Sequence, residues 1–166
     1  MKKVLVTGGL GFIGSHTAVE LLQRGYEVLV VDNLANSNAA VLDGIAAIAG
    51  RKPVWANVDL ADPVACKALL AGLPDLDGIV HFAAYKAVGE SVQKPLAYYR
   101  NNFGSLVNLL DFTAEHPQCR FIFSSSCTVY GHADGRPVSE DAPVKPAEAP
   151  YGNTKQGGGE ILRDGA

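Results

Sequence analysis

Short apolar runs alternate along the chain with longer segments whose apolar residues recur at helical spacing. The short runs predict five strands, at residues 4–7, 26–31, 53–58, 78–82 and 120–123. The longer segments predict helices that begin near residues 15 and 151 or extend over 39–49, 62–71 and 96–115. Asp62 is the predicted N-cap of the helix over 62–71, and Pro63 stands in its first turn. Such alternation predicts an α/β fold, a doubly wound parallel sheet with helices on both faces.

A glycine-rich turn, Gly8-Gly9-Leu10-Gly11-Phe12-Ile13-Gly14, joins the first predicted strand to the first predicted helix. The first two glycines permit a tight turn, the third lets the backbone approach a pyrophosphate, and the last lets the helix pack close to the strand. The next predicted strand ends in Asp32, about 20 residues further on, where a carboxylate binds ribose hydroxyls and repels a 2′-phosphate. Together these features predict a Rossmann fold that binds NAD, and a glycine-rich turn beside a surface aspartate is the weaker interpretation.

Tyr151 and Lys155 are four residues apart, so they share one face of the predicted helix that follows Pro150. A phenol acts as a base near neutral pH only if its pKa falls by about 3 units, which an adjacent ammonium and a positive nicotinamide ring can supply. The phenolate can then take a proton from a carbinol while hydride leaves for the nicotinamide. Ser126, which follows the fifth predicted strand, can bind the same oxygen. These three residues form the predicted catalytic set, although an exposed aromatic beside a surface lysine would show the same spacing.

Composition limits the other classes of function. The 166 residues suffice for one domain with a substantial core, and 48% of them are apolar. The net charge of −3 is interspersed without a basic run, which argues against a nucleic-acid surface. No apolar stretch reaches the roughly 18 residues of a membrane span, and the first apolar run leads into the glycines, so neither a membrane span nor a secretory signal is expected.

The cysteines and histidines suggest no metal site. Three widely spaced cysteines, Cys66, Cys119 and Cys127, indicate neither a disulfide framework nor a zinc site, and they favour free thiols in a cytoplasmic protein. The four scattered histidines are expected to be structural or exposed, at His16, His81, His116 and His132.

Five segments resemble the extended short-chain dehydrogenase/reductase family, and within it the UDP-glucose 4-epimerases. They are TGGLGFIGSHTAVELL, VDNLANSN, HFAAYKAVGESVQKPLAYYRNN, FIFSSSCTVYG and PYGNTK. They spread over nearly the whole chain, and KAVGESVQKPL is far more specific than the glycines. The resemblance implies bound NAD and a nucleotide-sugar substrate, UDP-glucose or UDP-galactose. In that family the sugar C4 hydroxyl is oxidised, the 4-keto ring turns over, and hydride returns to its opposite face.

The resemblance also implies a role for individual residues. Lys155 would bind the nicotinamide ribose beside Tyr151, and both would serve with Ser126 in catalysis. For Lys86 and Asn101 the residues alone equally allow a surface salt bridge and a polar helix face. The other implied cofactor contacts are Gly8, Gly11, Phe12, Ile13 and Gly14 at the pyrophosphate, Asp32, Asn33, Asn36 and Ser37 on the adenosine side, Asp59 and Leu60 at the adenine, and Phe82, Ala83, Ala84, Lys86 and Asn101 at the ribose and phosphates.

Related family members dehydrate nucleotide sugars with an Asp-Glu pair placed just before Val129-Tyr130-Gly131. Those two positions hold Cys127 and Thr128 here, and neither supplies a carboxylate. This argues against water elimination, whereas epimerisation at another carbon stays open.

The family's substrate-binding half would follow this chain. We therefore expect residues 1–166 to be an NAD-binding Rossmann domain, truncated relative to the family, that alone binds NAD weakly at best and turns over little sugar. A non-catalytic NAD-binding fragment is the alternative from a different class. The family commonly forms homodimers through two helices, here the helix from Leu96 and the helix after Tyr151.

Two segments remain without a single interpretation. Gly157-Gly158-Gly159 lies where the last predicted helix should continue, although each glycine costs about 1 kcal/mol relative to alanine. The sequence offers no physical reason for these glycines. Residues 135–150 predict a proline-rich loop, which could be a lid over the site or a solvated connection.

Overall fold

The structure, a computed structural model, describes residues 1–132, 135 and 137–165. Within these residues five parallel strands form one sheet in the order β3-β2-β1-β4-β5. The elements along the chain are β1 (Lys3–Thr7), α1 (Phe12–Gln23), β2 (Glu27–Val31), α2 (Val41–Ala49), β3 (Val54–Ala56), α3 (Pro63–Ala71), β4 (Gly78–His81), α4 (Val88–Gln93), α5 (Pro95–Glu115), β5 (Arg120–Phe123), a short 3₁₀ helix (Cys127–Tyr130) and α6 (Pro150–Asp164).

Successive side chains of a strand point to opposite sides of the sheet. Because the strands carry apolar residues on both sides, helices cover both faces. On β1, Val4 and Val6 face one core layer and Leu5 faces the other. The layer under α1 and α2 contains Val4, Val6, Leu10, Ala18, Leu22, Val28, Val30, Leu42 and Ile45. The layer under α3 and α5 contains Leu5, Leu29, Val31, Leu60, Cys66, Leu70, Leu76, Ile79, Leu109, Phe112 and Cys119. The predicted doubly wound parallel sheet is confirmed.

Local sequence signals explain several helix starts. The Asp62 carboxylate accepts hydrogen bonds from the backbone N–H groups of Val64 (2.9 Å) and Ala65 (3.1 Å), as predicted for a helix N-cap. Prolines open α3, α5 and α6 at a position where the missing N–H has no helical partner. Helix α1 begins at Phe12, earlier than the predicted start near Ser15.

The largest differences from the sequence prediction are in three short elements. Strand β3 is shorter than the predicted 53–58, because it lies at the sheet edge and pairs only with β2, and because Pro53 has no N–H to donate. Helix α4 and the 3₁₀ helix fall where no regular element was predicted. Both are too short to show a periodicity of their own.

The glycines of α6 have a packing explanation. A Cβ at Gly157 would lie 2.8 Å from Cζ of Phe103 on α5, and a Cβ at Gly158 would lie 2.7 Å from Cζ of Phe123 on β5. A Cβ at Gly159 would meet no atom within 4 Å. Two of the three glycines therefore let α6 lie close against aromatic rings of α5 and β5, and the helix continues through all three to Asp164.

The loop predicted over 135–150 includes Arg136, which lies outside the described residues, and ends one residue into α6. Its described part is tied down at two points. The Gln156 side chain donates to the carbonyls of Val129 and Lys145, and Nδ1 of the exposed His132 lies 2.9 Å from Oε1 of Glu148.

The three cysteines differ in their exposure to solvent. Cys66 and Cys119 are buried, Cys127 is exposed, and all three are free. Burial raises the pKa of the Cys66 thiol to about 11.

Within residues 1–132, 135 and 137–165, no helix has both the length and the apolar character that crossing a membrane requires.

Candidate functional site

The carboxyl ends of the strands meet at one edge of the sheet, where they open a cleft of about 290 Å³. The strand order reverses between β1 and β4, and such a switch point is where open α/β sheets bind ligands. Every residue predicted from the sequence to contact the cofactor lines this cleft. Six further residues line the cleft without having been predicted as cofactor contacts: Val31, Ala35, Val58, Tyr85, Ser105 and Ser124.

The glycine-rich turn forms one wall of the cleft. Gly8 has a φ of +62°, which favours glycine, and its N–H donates to the Val31 carbonyl at 2.8 Å. A Cβ at Gly14 would lie 2.7 Å from Cα of Gly9 and closer still to the Gly8 carbonyl oxygen. The turn therefore brings the N-terminus of α1 to the cleft, where unpaired backbone N–H groups and the helix dipole favour an anion.

Two apolar side chains at the start of α1 are unusually open. Phe12 is 83% exposed and Ile13 is 59% exposed, and both line the cleft. Large apolar side chains that stand free beside a cleft are typical of a surface that a ligand covers.

Asp32 is held at the end of β2 by three hydrogen bonds. One carboxylate oxygen, Oδ2, accepts from the N–H of Leu10 at 3.0 Å. The other, Oδ1, accepts from the N–H of Leu34 at 3.0 Å and from the Ser37 hydroxyl at 2.6 Å. Since each carboxylate oxygen has about two acceptor sites, Oδ2 keeps one for a further donor. The carboxylate is therefore oriented in advance and can accept one hydroxyl from a ligand.

Tyr151 and Lys155 lie on α6 and line the same cleft as the glycines. Lys155 is 6% exposed, and its ammonium donates to the Ser124 carbonyl at 2.7 Å, which leaves two of its N–H donors available. Burial lowers the pKa of Lys155 to about 8. Among the described residues, the Tyr151 hydroxyl has no hydrogen-bond partner, so it is free to bind a ligand.

Ser126, the third predicted catalytic residue, is not among the residues that line the cleft. Its hydroxyl oxygen caps the 3₁₀ helix by accepting from the N–H of Thr128 at 3.3 Å and from the Thr128 hydroxyl at 3.0 Å. The hydroxyl hydrogen of Ser126 is still available to donate. Its catalytic role stays a prediction.

Lys86 and Asn101 both line the cleft. In the described part of the chain Lys86 forms no ion pair, and the Asn101 side chain donates to Oδ1 of Asn102 at 2.9 Å. The implied cofactor contacts of Lys86 and Asn101 stay predictions.

Asn102 is a buried residue that the sequence prediction missed. Its side chain binds both backbone groups of Tyr85, accepting from the N–H at 2.8 Å and donating to the carbonyl at 3.0 Å. It also donates to the Thr154 hydroxyl at 2.9 Å. Asn102 lies on the buried face of α5 with Tyr98, Ser105 and Leu106, and a polar residue on an otherwise core-facing helix stripe is the signal that could have revealed it.

His81 is buried beside the cleft at the end of β4. Its Nδ1 lies 2.7 Å from the Thr7 hydroxyl, which also accepts from the N–H of Ala83 at 3.2 Å. Burial, and to a lesser degree the charge of Lys155, lower the pKa of His81 to about 3. The imidazole is therefore neutral near pH 7, and its Nδ1 can accept a hydrogen bond from the Thr7 hydroxyl. This is a structural role.

The profile of the protein family described as GDP-mannose 4,6 dehydratase matches residues 5–164. The chain belongs to this family. Its relatives within the GDP-mannose 4,6 dehydratase family are named for a different reaction. The chain is 45% identical to UDP-glucose 4-epimerase from Bacillus subtilis over 97% of its own length, and 46% identical to UDP-glucose 4-epimerase 2 from Oryza sativa over 99%. The predicted resemblance to UDP-glucose 4-epimerases is confirmed.

Solved structures agree with these relatives. The chain is similar to UDP-glucose 4-epimerase from Bifidobacterium longum in complex with NAD⁺ and UDP, with a TM-score of 0.93 and 42% identity over 98% of this chain. It is also similar to the UDP-Glc/GlcNAc 4-epimerase from Campylobacter jejuni, with a TM-score of 0.91 and 39% identity over 99% of this chain.

The chain spans about half the length of the curated relatives it matches. It covers 47% of the Bacillus subtilis enzyme and 40% of the Oryza sativa enzyme. Its share of the Bifidobacterium longum structure is 48%. The activity and substrates of the longer proteins therefore belong to a proposal for this member of the GDP-mannose 4,6 dehydratase family.

Proposed function

We propose that this chain forms the NAD-binding half, with the acid–base residues, of a UDP-glucose 4-epimerase. One observation carries the proposal: Tyr151 and Lys155 on α6 line the same cleft as the glycine-rich turn and Asp32. Proton transfer and hydride transfer require the reacting sugar to contact the acid–base residues and the bound cofactor at the same time. A single cleft that both sets of residues line allows this. The names of the relatives support the same reaction.

The residues of the cleft fit NAD. The glycine-rich turn and the N-terminus of α1 suit the pyrophosphate, since Gly8, Gly11 and Gly14 line the cleft and let the backbone approach a ligand there. The free acceptor site on Asp32 suits a ribose hydroxyl. The two unused donors of Lys155 suit the second ribose.

When bound, NAD accepts the hydride, and residues of this chain transfer the proton. The Tyr151 oxygen would accept the proton of the sugar C4 hydroxyl and return it to the same oxygen after the ring has turned over. The Lys155 ammonium would stabilise negative charge on that phenol oxygen. Ser126 would donate its hydroxyl hydrogen to the sugar oxygen. One acid–base residue suffices, because the proton leaves and rejoins the same oxygen.

The substrate we propose is a UDP-sugar, UDP-glucose or UDP-galactose. The Bifidobacterium longum relative was crystallised with UDP, and the relative from Thermotoga maritima was crystallised with UDP-glucose. Another epimerisation of a nucleotide sugar is the second candidate, because the Campylobacter jejuni relative is named for both UDP-Glc and GlcNAc. The absence of a carboxylate at Cys127 and Thr128 disfavours dehydration.

We also propose that the whole protein pairs as a homodimer in the cytoplasm. Helices α5 and α6 pack side by side, and α5 leaves Leu96 62% exposed and Val107 41% exposed. Light scattering on the whole protein tests this, and a monomeric mass would contradict it.

The test of the activity is a chimera in which residues 1–166 replace the matching half of the Bifidobacterium longum enzyme. We expect it to convert UDP-galactose to UDP-glucose, measured by chromatography, and Tyr151→Phe to reduce the rate by about 10²-fold or more. Tyr26→Phe, just before β2 and outside the cleft, is the matched control and should change little. An undiminished rate in Tyr151→Phe would remove Tyr151 from the role of base.

Assays of the 166-residue chain alone distinguish catalysis from cofactor binding. We expect calorimetry to detect weak NAD binding and chromatography to detect little sugar conversion. Turnover comparable with an ordinary enzyme would refute the expected inactivity of this chain. A chimera that binds NAD without converting sugar would favour the non-catalytic NAD-binding fragment.

A further inference from the structure

Lys155 is a buried cation without a carboxylate partner among the residues that the structure describes. Its ammonium has two stabilising contacts. It donates to the Ser124 carbonyl at 2.7 Å, and it lies over the ring of Phe123, 4.6 Å from the ring centroid. A cation within about 6 Å of an aromatic centroid is attracted by the electron-rich ring face, and the attraction grows where water is excluded.

The position of the Phe123 ring depends on Gly158. Lys155 and Gly158 are three residues apart on α6, so both face the end of β5. A Cβ at Gly158 would lie 2.7 Å from Cζ and 3.2 Å from Cε1 of Phe123, and 3.3 Å from Cδ2 of Leu106. The ring therefore occupies the space that a side chain at this position would need. On its other side it stacks with His81, with 6.2 Å between the centroids.

We propose that Phe123 is a positioning residue that holds the Lys155 ammonium charged and directed into the cleft, and that Gly158 is there to admit its ring. The proposal rests on the proposed function, because Lys155 is the residue that would bind the nicotinamide ribose. It gives a role to two residues that do not line the cleft. It also explains why a helix with a catalytic face tolerates a glycine at this point.

Few other groups act on the charge of Lys155. His81 from β4 is neutral near pH 7, since burial lowers its pKa to about 3. Tyr151 stands one turn earlier on α6, and α5 contributes the uncharged Asn101 and Ser105 to the same cleft. Burial lowers the pKa of Lys155 to about 8, so a modest loss of stabilisation would discharge it near neutral pH.

The experiment follows the titration of Lys155 in the 166-residue chain by NMR, using lysine labelled with ¹³C at Cε and a Lys155→Met spectrum for assignment. Phe123→Leu should lower the Lys155 pKa by about 0.5 to 1.5 units, because the ring face is lost. Phe123→Met keeps apolar volume without a ring face and should lower the Lys155 pKa likewise. Phe121→Leu is the matched control, because Phe121 also contacts His81, at 5.9 Å between centroids, but not Lys155.

The second readout is NAD affinity as a function of pH, measured by calorimetry. In Phe123→Leu the pH at which affinity is half lost should fall by the same amount as the Lys155 pKa. Gly158→Ala should shift the Lys155 titration as well, whereas Gly159→Ala, whose Cβ meets no atom within 4 Å, should not.

Failure of the positioning role and failure of the proposed function give different results. An unchanged Lys155 titration in Phe123→Leu would overturn the positioning role even if the wild-type chain binds NAD normally. Failure of the chimera that carries residues 1–166 to bind NAD would instead contradict the proposed function, while a shifted titration would still establish the contact between Phe123 and Lys155.

Discussion

The side-chain amide of Asn102 donates a hydrogen bond to the Thr154 hydroxyl at 2.9 Å, and this bond joins α5 to α6 one residue before Lys155. The Thr154 hydroxyl in turn donates to the Tyr151 carbonyl at 2.7 Å. Asn102 also binds the backbone of Tyr85, so it uses both donors and both acceptor sites. One buried amide thus links the loop after β4 to the helix that presents the predicted acid–base pair.

Replacing Asn102 should damage both stability and cofactor binding. Asn102→Asp keeps the shape but removes both donors and places a carboxylate in a buried site, so we expect the free energy of unfolding to fall by about 2–4 kcal/mol. Urea unfolding at neutral pH measures the change. Asn108→Asp on the same helix is the control, because Asn108 makes a single hydrogen bond, to the Leu60 carbonyl at 2.8 Å. Equal losses in the two variants would contradict the linking role of Asn102.

His81 should make the protein sensitive to acid. Its pKa is about 3 in the folded chain, against an ordinary 6.5, so below about pH 6.5 the unfolded chain binds a proton that the folded chain does not. Stability is therefore unaffected above this pH and falls as pH drops toward 3, by about 2–3 kcal/mol at about pH 4.5. Urea unfolding at about pH 7 and about pH 4.5 measures this loss.

The comparison that isolates His81 uses two variants. His81→Asn keeps an acceptor for the Thr7 hydroxyl and should lose this part of the pH dependence. His132→Asn changes an exposed histidine paired with Glu148 and should keep the wild-type slope. If His81→Asn has the same slope as the wild type, acid destabilisation comes from other groups.

The parts of the fold that could be predicted are those that short stretches of sequence determine. Apolar runs located the strands, and Asp62 with Pro63 located a helix start to within a residue. The spacing from the glycines to Asp32 located two walls of the cleft, because the carboxyl ends of parallel strands lie at one edge.

What could not be predicted depends on contacts between distant segments. Helix α4 has no side-chain cap, and the Tyr98 hydroxyl on α5 holds it by accepting from the N–H of Ala87 at 3.1 Å and donating to Glu90 at 2.9 Å. Gly157 and Gly158 lacked an explanation for the same reason, since the rings they accommodate come from α5 and β5.

Asp32 should control cofactor affinity and choice. Asp32→Asn removes the charge that we expect to bind a ribose hydroxyl, so NAD affinity should fall by about 10- to 100-fold. The preference for NAD over NADP should shrink as well, because a 2′-phosphate is no longer repelled. Trp55 is the only tryptophan of the chain and donates to the Asp32 carbonyl at 3.3 Å, so its fluorescence can report binding.

The control for this prediction is Asp43→Asn on α2. Asp43 pairs with Lys52 at 2.8 Å and does not line the cleft, so its loss should leave NAD affinity unchanged. Unaltered affinity in Asp32→Asn would show that Asp32 does not contact the ribose.

Gly157 and Gly159 of α6 should respond differently to alanine. A Cβ at Gly159 meets no atom within 4 Å, so Gly159→Ala should stabilise the chain by about 0.5–1 kcal/mol through helix propensity and the reduced entropy of the unfolded chain. Gly157→Ala gains the same propensity but forces the Phe103 ring to move, since the new Cβ would lie 2.8 Å from Cζ. It should therefore be less stable than Gly159→Ala.

Urea unfolding of the two variants measures this difference, with Gly44→Ala as the control. Gly44 lies inside α2 with no atom within 4 Å of its built Cβ, so alanine there should give the same gain as at position 159. Because the helix-propensity gain is common to all three changes, the deficit of Gly157→Ala relative to the other two measures the cost of displacing Phe103. Equal gains at all three positions would mean that the ring moves freely, and the packing explanation for Gly157 would then be wrong.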